Sequence, residues 1–305
     1  MKFNVKTEIK IKELIPAKLI PRSGSIKNLD IKEKHSTLIL NTTRCREVTL
    51  PKYIIMDSED FIAIGLYLAE GTTYCNLNKK IKHSGEIVFV NSNPNCVSII
   101  CKLLGKLCIN KKNLKWKIGL NINFKANINK DKLYNYWVRE IGLGRNNSRP
   151  NWLYYSGKIG GRLSSNTSDK GCLHIFYSST IFRNFFINFV QKIFDSSIED
   201  KSEQRLALIL KGFFAGDGSV NYSDKFKRKQ VEFLSTDASL VEKIRKSLQI
   251  LGLTSIKETW PERTKNHTKS LRIYNKHDFR ILAHFEIPDL VDYKRKTFSK
   301  IINSL

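Results

Sequence analysis

Gly65-Leu66-Tyr67-Leu68-Ala69-Glu70-Gly71 returns later in the chain as Gly212-Phe213-Phe214-Ala215-Gly216-Asp217-Gly218. Each heptapeptide closes an apolar run, Phe61 to Glu70 and Leu206 to Asp217, of the kind that forms a buried helix. Asp57 or Ser58 is a candidate cap for the first helix. Gly65 and Ala69 are four apart, as are Gly212 and Gly216, so each pair lies on one helix face. Small residues there let two backbones approach closely. If the helices pack through these faces, their C-terminal ends meet and Glu70 neighbours Asp217. Gly71 and Gly218 are then expected to end the helices in the left-handed conformation.

The segments after the two heptapeptides match as well. Thr72-Thr73-Tyr74-Cys75 corresponds to Ser219-Val220-Asn221-Tyr222, and Ile87 to Asn93 corresponds to Val231 to Asp237. Helices of similar length are expected next, ending near Ile109 and Leu253, and then Leu173 to Tyr177 matches Leu271 to Asn275. The common order is helix, two strands, helix, two strands, helix. The separation, about 145 residues, is far longer than a solenoid repeat, so it indicates a duplicated unit. The expected organisation is an N-terminal extension over 1–55, a first repeat over 56–200 and a second over 201–305. The first repeat carries an insertion near 129–170, with a helix over Asp131 to Ile141 and then a glycine- and serine-rich stretch. The second makes the same connection through a short link around Trp260 and Asn266. In the extension, Val5, Thr7, Ile9 and Ile11 alternate with charged residues like a strand, and Pro16, Pro21 and Gly24 break it. Thr37 to Pro51 holds another candidate strand.

The 53 Lys and Arg against 28 Asp and Glu leave a formal charge of +25. Such a surplus repels itself, which points to a polyanionic partner, nucleic acid rather than an anionic membrane. No apolar run reaches the roughly 20 residues that span a bilayer. The N-terminus does not resemble a signal peptide, so a secreted protein is not expected. The cysteines form no zinc-like spacing; Cys101 and Cys108 are expected in the core of a reduced, intracellular protein. The clearest strand is Lys115 to Lys125: Trp116, Ile118, Leu120, Ile122 and Phe124 share one face, and Lys115, Lys117, Asn121, Asn123 and Lys125 the other. Lysine and asparagine donate well to phosphates and base edges, so this face is expected to meet DNA.

Glu70 and Asp217 would each sit at the negative end of a helix dipole and oppose one another. A divalent cation reverses that balance, and carboxylate oxygen is the hard ligand that Mg²⁺ prefers. The scattered histidines offer no nucleophile partner for a different enzyme chemistry.

The two heptapeptides, their separation and the order of elements resemble single-chain LAGLIDADG homing endonucleases, over roughly residues 50–305. The resemblance implies an α+β fold: a pseudo-twofold pair of αββαββα repeats, two saddle-shaped antiparallel sheets and two central motif helices. It implies a double-stranded DNA endonuclease that uses Mg²⁺, hydrolyses phosphodiesters across the minor groove and leaves short 3′ overhangs. Mn²⁺ is expected to substitute, and Ca²⁺ to bind without supporting cleavage. Glu70 and Asp217 become metal ligands, with the carbonyls of Ala69 and Gly216 as further candidates. The family often has lysine or glutamine at the end of the second strand; here stand Asn91-Ser92 and Ser235-Thr236. Asn91 can order water there, and Lys294 resembles a family lysine near the active site, with Lys201 a weaker equivalent. Lys227, Lys229 and Arg272 join the residues expected to face DNA. A monomer is expected on a target of roughly 20 base pairs, one groove turn per sheet. It would work beside its host DNA, in a prokaryotic cytoplasm or an organelle. The alternative is an intron RNA maturase or a DNA-binding regulator on the same scaffold, and host intron RNA stays open as a second partner. An intein is not expected, since Met1-Lys2 and Ile302-Asn303-Ser304-Leu305 lack splicing residues.

Overall fold

The structure is a computed structural model and describes residues 4–16, 18–19, 27–43, 45–71, 85–121, 129–143, 151–155, 170–226, 228–259 and 268–305. The architecture is α+β with several antiparallel sheets. In chain order, the extension holds β1 (Thr7–Lys10), β2 (Lys18–Leu19), β3 (Lys27–Asn28), β4 (Asp30–Lys34), β5 (Thr37–Thr42), β6 (Cys45–Pro51) and β7 (Tyr53–Met56). Next come α1 (Ser58–Glu70), β8 (Glu86–Asn91), α2 (Pro94–Lys106), β9 (Lys115–Asn121), α3 (Lys130–Ile141), β10 (Asn151–Tyr155), β11 (Cys172–Ser178) and α4 (Thr180–Glu199). The last part holds α5 (Glu203–Asp217), β12 (Gly218–Ser223), β13 (Arg228–Ser235), α6 (Ala238–Ile250), β14 (Ile256–Thr259), β15 (Lys269–Ile273), α7 (Lys276–His284) and α8 (Asp292–Asn303). Among the described residues no helix is long and apolar enough to cross a membrane. The chain divides into two compact units; one contains α1 and Val190–Leu305, the other Glu8–Ile54 and Gly71–Phe189.

In the first unit α1 begins at a capping box. Asp57 Oδ1 accepts from the backbone N–H of Glu59 (2.9 Å) and Asp60 (3.3 Å), and Asp60 Oδ2 accepts from Asp57 N–H (2.8 Å). Residues Phe61 to Leu68 are all buried. α1 packs on α5 backbone to backbone. A β-carbon on Gly65 would stand 1.8 Å from the carbonyl oxygen of Ile209, and one on Gly212 would stand 2.0 Å from that of Ile62. Each glycine meets the carbonyl that lies three residues before the opposite glycine, so the contact is reciprocal. The sheet of this unit has the order β12-β13-β15-β14, antiparallel throughout. Val231, Phe233, Leu271 and Ile273 are its buried side. Phe213 of α5 stacks on Phe233 with ring centres 6.4 Å apart, and Phe214 meets the same ring tilted at 60°, 5.0 Å away.

The second unit has the sheet β10-β9-β11-β8. Trp116, Ile118 and Leu120 are buried while Lys115 is exposed, as strand alternation predicts; Ile122 to Lys125 lie outside the described residues. Gly71 bridges Phe89 antiparallel, and Gly218 pairs with Phe233 in the same way. The order β9-β11-β8 therefore matches β14-β15-β13. The insertion forms α3 at nearly the expected place, anchored by Trp137, whose Nε1 donates to Lys170 O at 2.9 Å. It also adds β10, which pairs parallel to β9 and has no counterpart among the sequence expectations. In the extension β4-β5-β6 form an antiparallel meander on the buried side chains of Leu38, Leu40, Val48 and Leu50.

Three local expectations are corrected. Gly218 is extended (φ −86°, ψ 152°), not left-handed. Glycine is needed there for space, because a β-carbon would meet Phe214 Cδ2 at 2.2 Å. Ile11 opens a 3-10 turn rather than continuing β1. Cys108 is exposed in a left-handed turn (φ 66°) beyond the end of α2, so only Cys101 of that pair packs in the core.

Gly65→Ala and Gly212→Ala should each destabilise the protein. In an exposed helix glycine to alanine gains about 1 kcal/mol; here overpacking should cost roughly 1–3 kcal/mol. Thermal melts decide, and an unchanged or raised Tm would contradict the contact.

Candidate active site

Glu70 and Asp217 are the last residues of α1 and α5. The small residues behind them set their proximity. A β-carbon on Gly216 would lie 2.6 Å from Ala69 Cβ and 2.8 Å from Glu70 Cγ, so the two helix ends abut. Both carboxylates are half-buried. Burial, and then the Asp217 charge, push the Glu70 carboxyl up to about 7, while Lys294 pulls the other way. Burial raises Asp217 to about 6, again opposed by Lys294.

Lys294, in the first turn of α8, is 3% exposed. Its Nζ donates to the carbonyls of Phe214 (2.8 Å), Ala215 (2.8 Å) and Gly216 (3.1 Å). The Phe214 carbonyl also accepts from Gly218 N–H, while those of Ala215 and Gly216 belong to the set that a helix end leaves without intrahelical partners; a cation there also opposes the dipole. The ammonium lies 5.4 Å from the centre of the Phe214 ring. The sequence suggests Lys294 as a catalytic residue beside the site; its charge acts on both carboxyls, and its hydrogen bonds hold the end of the helix that carries Asp217. Spacing alone does not reveal this, since the partners lie about 80 residues away. Lys201 is exposed in the turn before α5, in a left-handed conformation.

Asn91 belongs to the other unit. Its Oδ1 accepts from Asn93 N–H at 2.8 Å, and Asn93 in turn caps α2. Ser235 does the same, accepting from Asp237 N–H at 3.1 Å ahead of the Asp237 cap of α6. Both positions therefore shape a strand-to-helix turn. Among the residues expected to face DNA, Lys115 is exposed and Lys117 Nζ lies 5.5 Å over the Phe176 ring. Asn121 ends β9, and Asn123, Lys125 and Lys227 lie outside the described residues. Lys229 Nζ donates to Ser304 O at 2.7 Å. Arg272 pairs with Glu232, its cross-strand neighbour, through Nε at 2.7 Å, a partner that sequence inspection misses because the strands join residues 40 apart.

Among the described residues no three Asp, Glu, His or Cys side chains gather as a metal cluster. The pair Glu70 and Asp217 nevertheless fits a hard divalent cation. Both are oxygen anions, burial disfavours both charges, and each would gain from a positive neighbour. Two carboxylates are also what Mg²⁺ commonly takes from protein, with water and phosphate completing its shell.

The raised values fix a direction for pH dependence in the presence of a chelator. The folded state holds these protons more tightly than the unfolded chain, whose carboxyls titrate at their ordinary 4.5 and 3.8. Stability is therefore greatest below those values, falls as pH climbs through about 6 to 7, and is flat above. Glu70→Gln should raise Tm at pH about 8 and leave it nearly unchanged at pH about 4. A Tm gain that is equal at both values would refute the burial argument. Lys294→Met should cost roughly 1–3 kcal/mol by stranding the α5 carbonyls, as read in chemical denaturation.

Residues 204–284 match the family of LAGLIDADG-like domains. No curated protein matches the chain. Among solved structures, mesophilic variants of the homing endonuclease I-DmoI align at 12% identity over 75% of this chain and 95% of theirs, with a TM-score of 0.39. The N-terminal LAGLIDADG domain of DUF199/WhiA aligns at 16% identity over 77% of this chain and 83% of that one, TM-score 0.39. I-DmoI in complex with DNA and Mn aligns at 11% identity over 77% and 98%, TM-score 0.35. The chain thus carries a LAGLIDADG-like domain, and that domain supplies Asp217, α5 to α7 and the sheet from β12 to β15.

Proposed function

We propose that this protein is a site-specific endonuclease for double-stranded DNA that depends on a divalent metal. The observation that carries the reading is the pair of half-buried carboxylates, one from each repeat, brought together where α1 and α5 end. The LAGLIDADG-like domain and the charge of +25 support it. On this reading the two αββαββα repeats form a pseudo-twofold pair, and their saddle-shaped sheets follow the major groove as a monomer on roughly 20 base pairs. Lys115 and Lys117 are then phosphate contacts of the first repeat.

Glu70 and Asp217 would hold the metal, with the Ala69 carbonyl as a further candidate. The Gly216 carbonyl already accepts from Lys294. When bound, a divalent cation supplies the Lewis acidity that activates water and stabilises the leaving oxygen. In each strand one P–O ester bond is exchanged for a P–O bond to the water oxygen, and a proton goes to the leaving oxygen. Lys294 keeps the α5 end in place through this exchange. Mg²⁺ is the expected cation, Mn²⁺ a substitute, and Ca²⁺ a ligand that does not support cleavage. Cuts across the minor groove would leave short 3′ overhangs.

Glu70→Gln and Asp217→Asn should each reduce double-strand cleavage below about one-hundredth of the wild-type rate and leave DNA affinity nearly unchanged. Selection of cleaved sites from a random duplex library with Mg²⁺, then gel assays on the winner, makes the measurement. Wild-type protein that binds a duplex but never cuts it with Mg²⁺ or Mn²⁺ would instead indicate a binding protein on this scaffold.

A further inference from the structure

The end of the second repeat's sheet away from Asp217 carries a group of aromatic side chains that the carboxylate site does not use. Tyr222 is the second-to-last residue of β12, Phe226 sits in the turn to β13, and Tyr274 comes directly after β15. Phe226 is 75% exposed and Tyr274 46%. Exposed apolar side chains grouped in this way mark a surface for interaction, where single ones need no explanation.

Two open clefts meet at Tyr274. One, of about 760 Å³, is lined by Tyr222, Phe226, Arg228 and Tyr274 among others. The other, of about 500 Å³, is lined by Thr254, Ser255, Lys257, Asn275 and again Tyr274. Tyr274 follows β15, which lies between β13 and β14 in the sheet, and it lines both clefts; the first holds the cations Arg228 and Lys229, the second Lys257. The phenols are preset: Tyr222 donates to Asp224, and Arg272 hydrogen-bonds Tyr274. The carboxylate of the first cleft is therefore already engaged. Lys225 adds positive charge, its Nζ lying 5.6 Å from the Phe226 ring centre.

A ring that lines two clefts, with a cation in each, matches two successive nucleotides of one strand. The bases would stack against the ring and the phosphates would meet the cations. A paired base within a duplex shows its edges, whereas an unpaired base shows its face. We propose that Tyr274 is a stacking platform for unpaired nucleotides of DNA, one in each cleft, with Phe226 as a second ring and Arg228 and Lys257 as phosphate contacts. The choice of DNA rests on the function proposed above, because this sheet begins at Asp217; the stacking itself does not.

The test is equilibrium binding in EDTA, which separates it from cleavage. Fluorescence anisotropy would track a labelled single-stranded deoxyoligonucleotide of about 15 nucleotides, its duplex, and the RNA of the same sequence. Tyr274→Ala should weaken binding of the single strand by roughly 5- to 150-fold, and Tyr274→Phe should retain it to within about 3-fold. Phe226→Ala should give a smaller loss, and duplex affinity should change little. Since both rings are exposed, circular dichroism should report an unchanged fold. The proposal is overturned if Tyr274→Ala binds the single strand like wild type, if the duplex loses affinity equally, or if the RNA binds more tightly than the DNA. A Glu70→Gln variant that neither cuts nor loses single-strand binding would leave it standing.

Discussion

The contact between α1 and α5 is made by main chain rather than by side chains. Gly65 rests on the carbonyl of Ile209 and Gly212 on that of Ile62. Glycine in a helix interior costs about 0.5–1 kcal/mol in chain entropy. That cost is offset by the surrounding packing, since almost every other residue of the two helices along this contact is buried. Any β-carbon at either glycine would push the axes apart. The separation of Glu70 from Asp217 is thus set by residues with no side chains, and Gly216 extends the same device to the helix ends.

Bringing those ends together creates an electrostatic problem, and the chain answers it in part. Two dipole ends and two carboxylates converge in a poorly solvated place, which raises both carboxyls. Lys294 opposes the trend through its charge while its hydrogen bonds occupy the α5 carbonyls. Its hydrogen bonds are asymmetric, because they anchor α5 alone. Burial raises both carboxyls, Glu70 to about 7 with the Asp217 charge adding to the rise, and Asp217 to about 6 from its lower ordinary value, while Lys294 opposes both. The residual imbalance leaves the pair receptive to further positive charge.

How much of this is legible in the sequence depends on how local the cause is. The heptapeptides announce the helix pair because a tight helix contact needs small residues four apart, and that spacing can be read directly. Trp116, Ile118 and Leu120 announce a half-buried strand for an equally local reason. α3 is legible from its periodicity, but β10 is not, because its pairing to β9 depends on tertiary contact. The extension shows one candidate strand between Thr37 and Pro51 where the fold turns back to make two, β5 and β6. Cys108 reads as helical, yet the chain turns left-handed after Lys106. At the site, the carboxylates are visible, while the Lys294 contacts and the Arg272–Glu232 pair join distant residues and leave no local mark.

Gly218 leaves α5 fully extended and enters β12 without an intervening loop. The strand is therefore a ruler whose zero is the Asp217 carboxylate. An antiparallel strand advances about 3.4 Å per residue, close to the roughly 3.4 Å between successive bases along a DNA strand. On the proposed function, position along β12 corresponds to distance from the cut. Evolution could exchange side chains along that ruler and alter which sequence is recognised, with the cleavage point kept. Inserting or deleting one residue between Asp217 and Tyr222 would instead slide the scale and flip every later side chain to the other face. Divergence in this strand should thus proceed by substitution at fixed length.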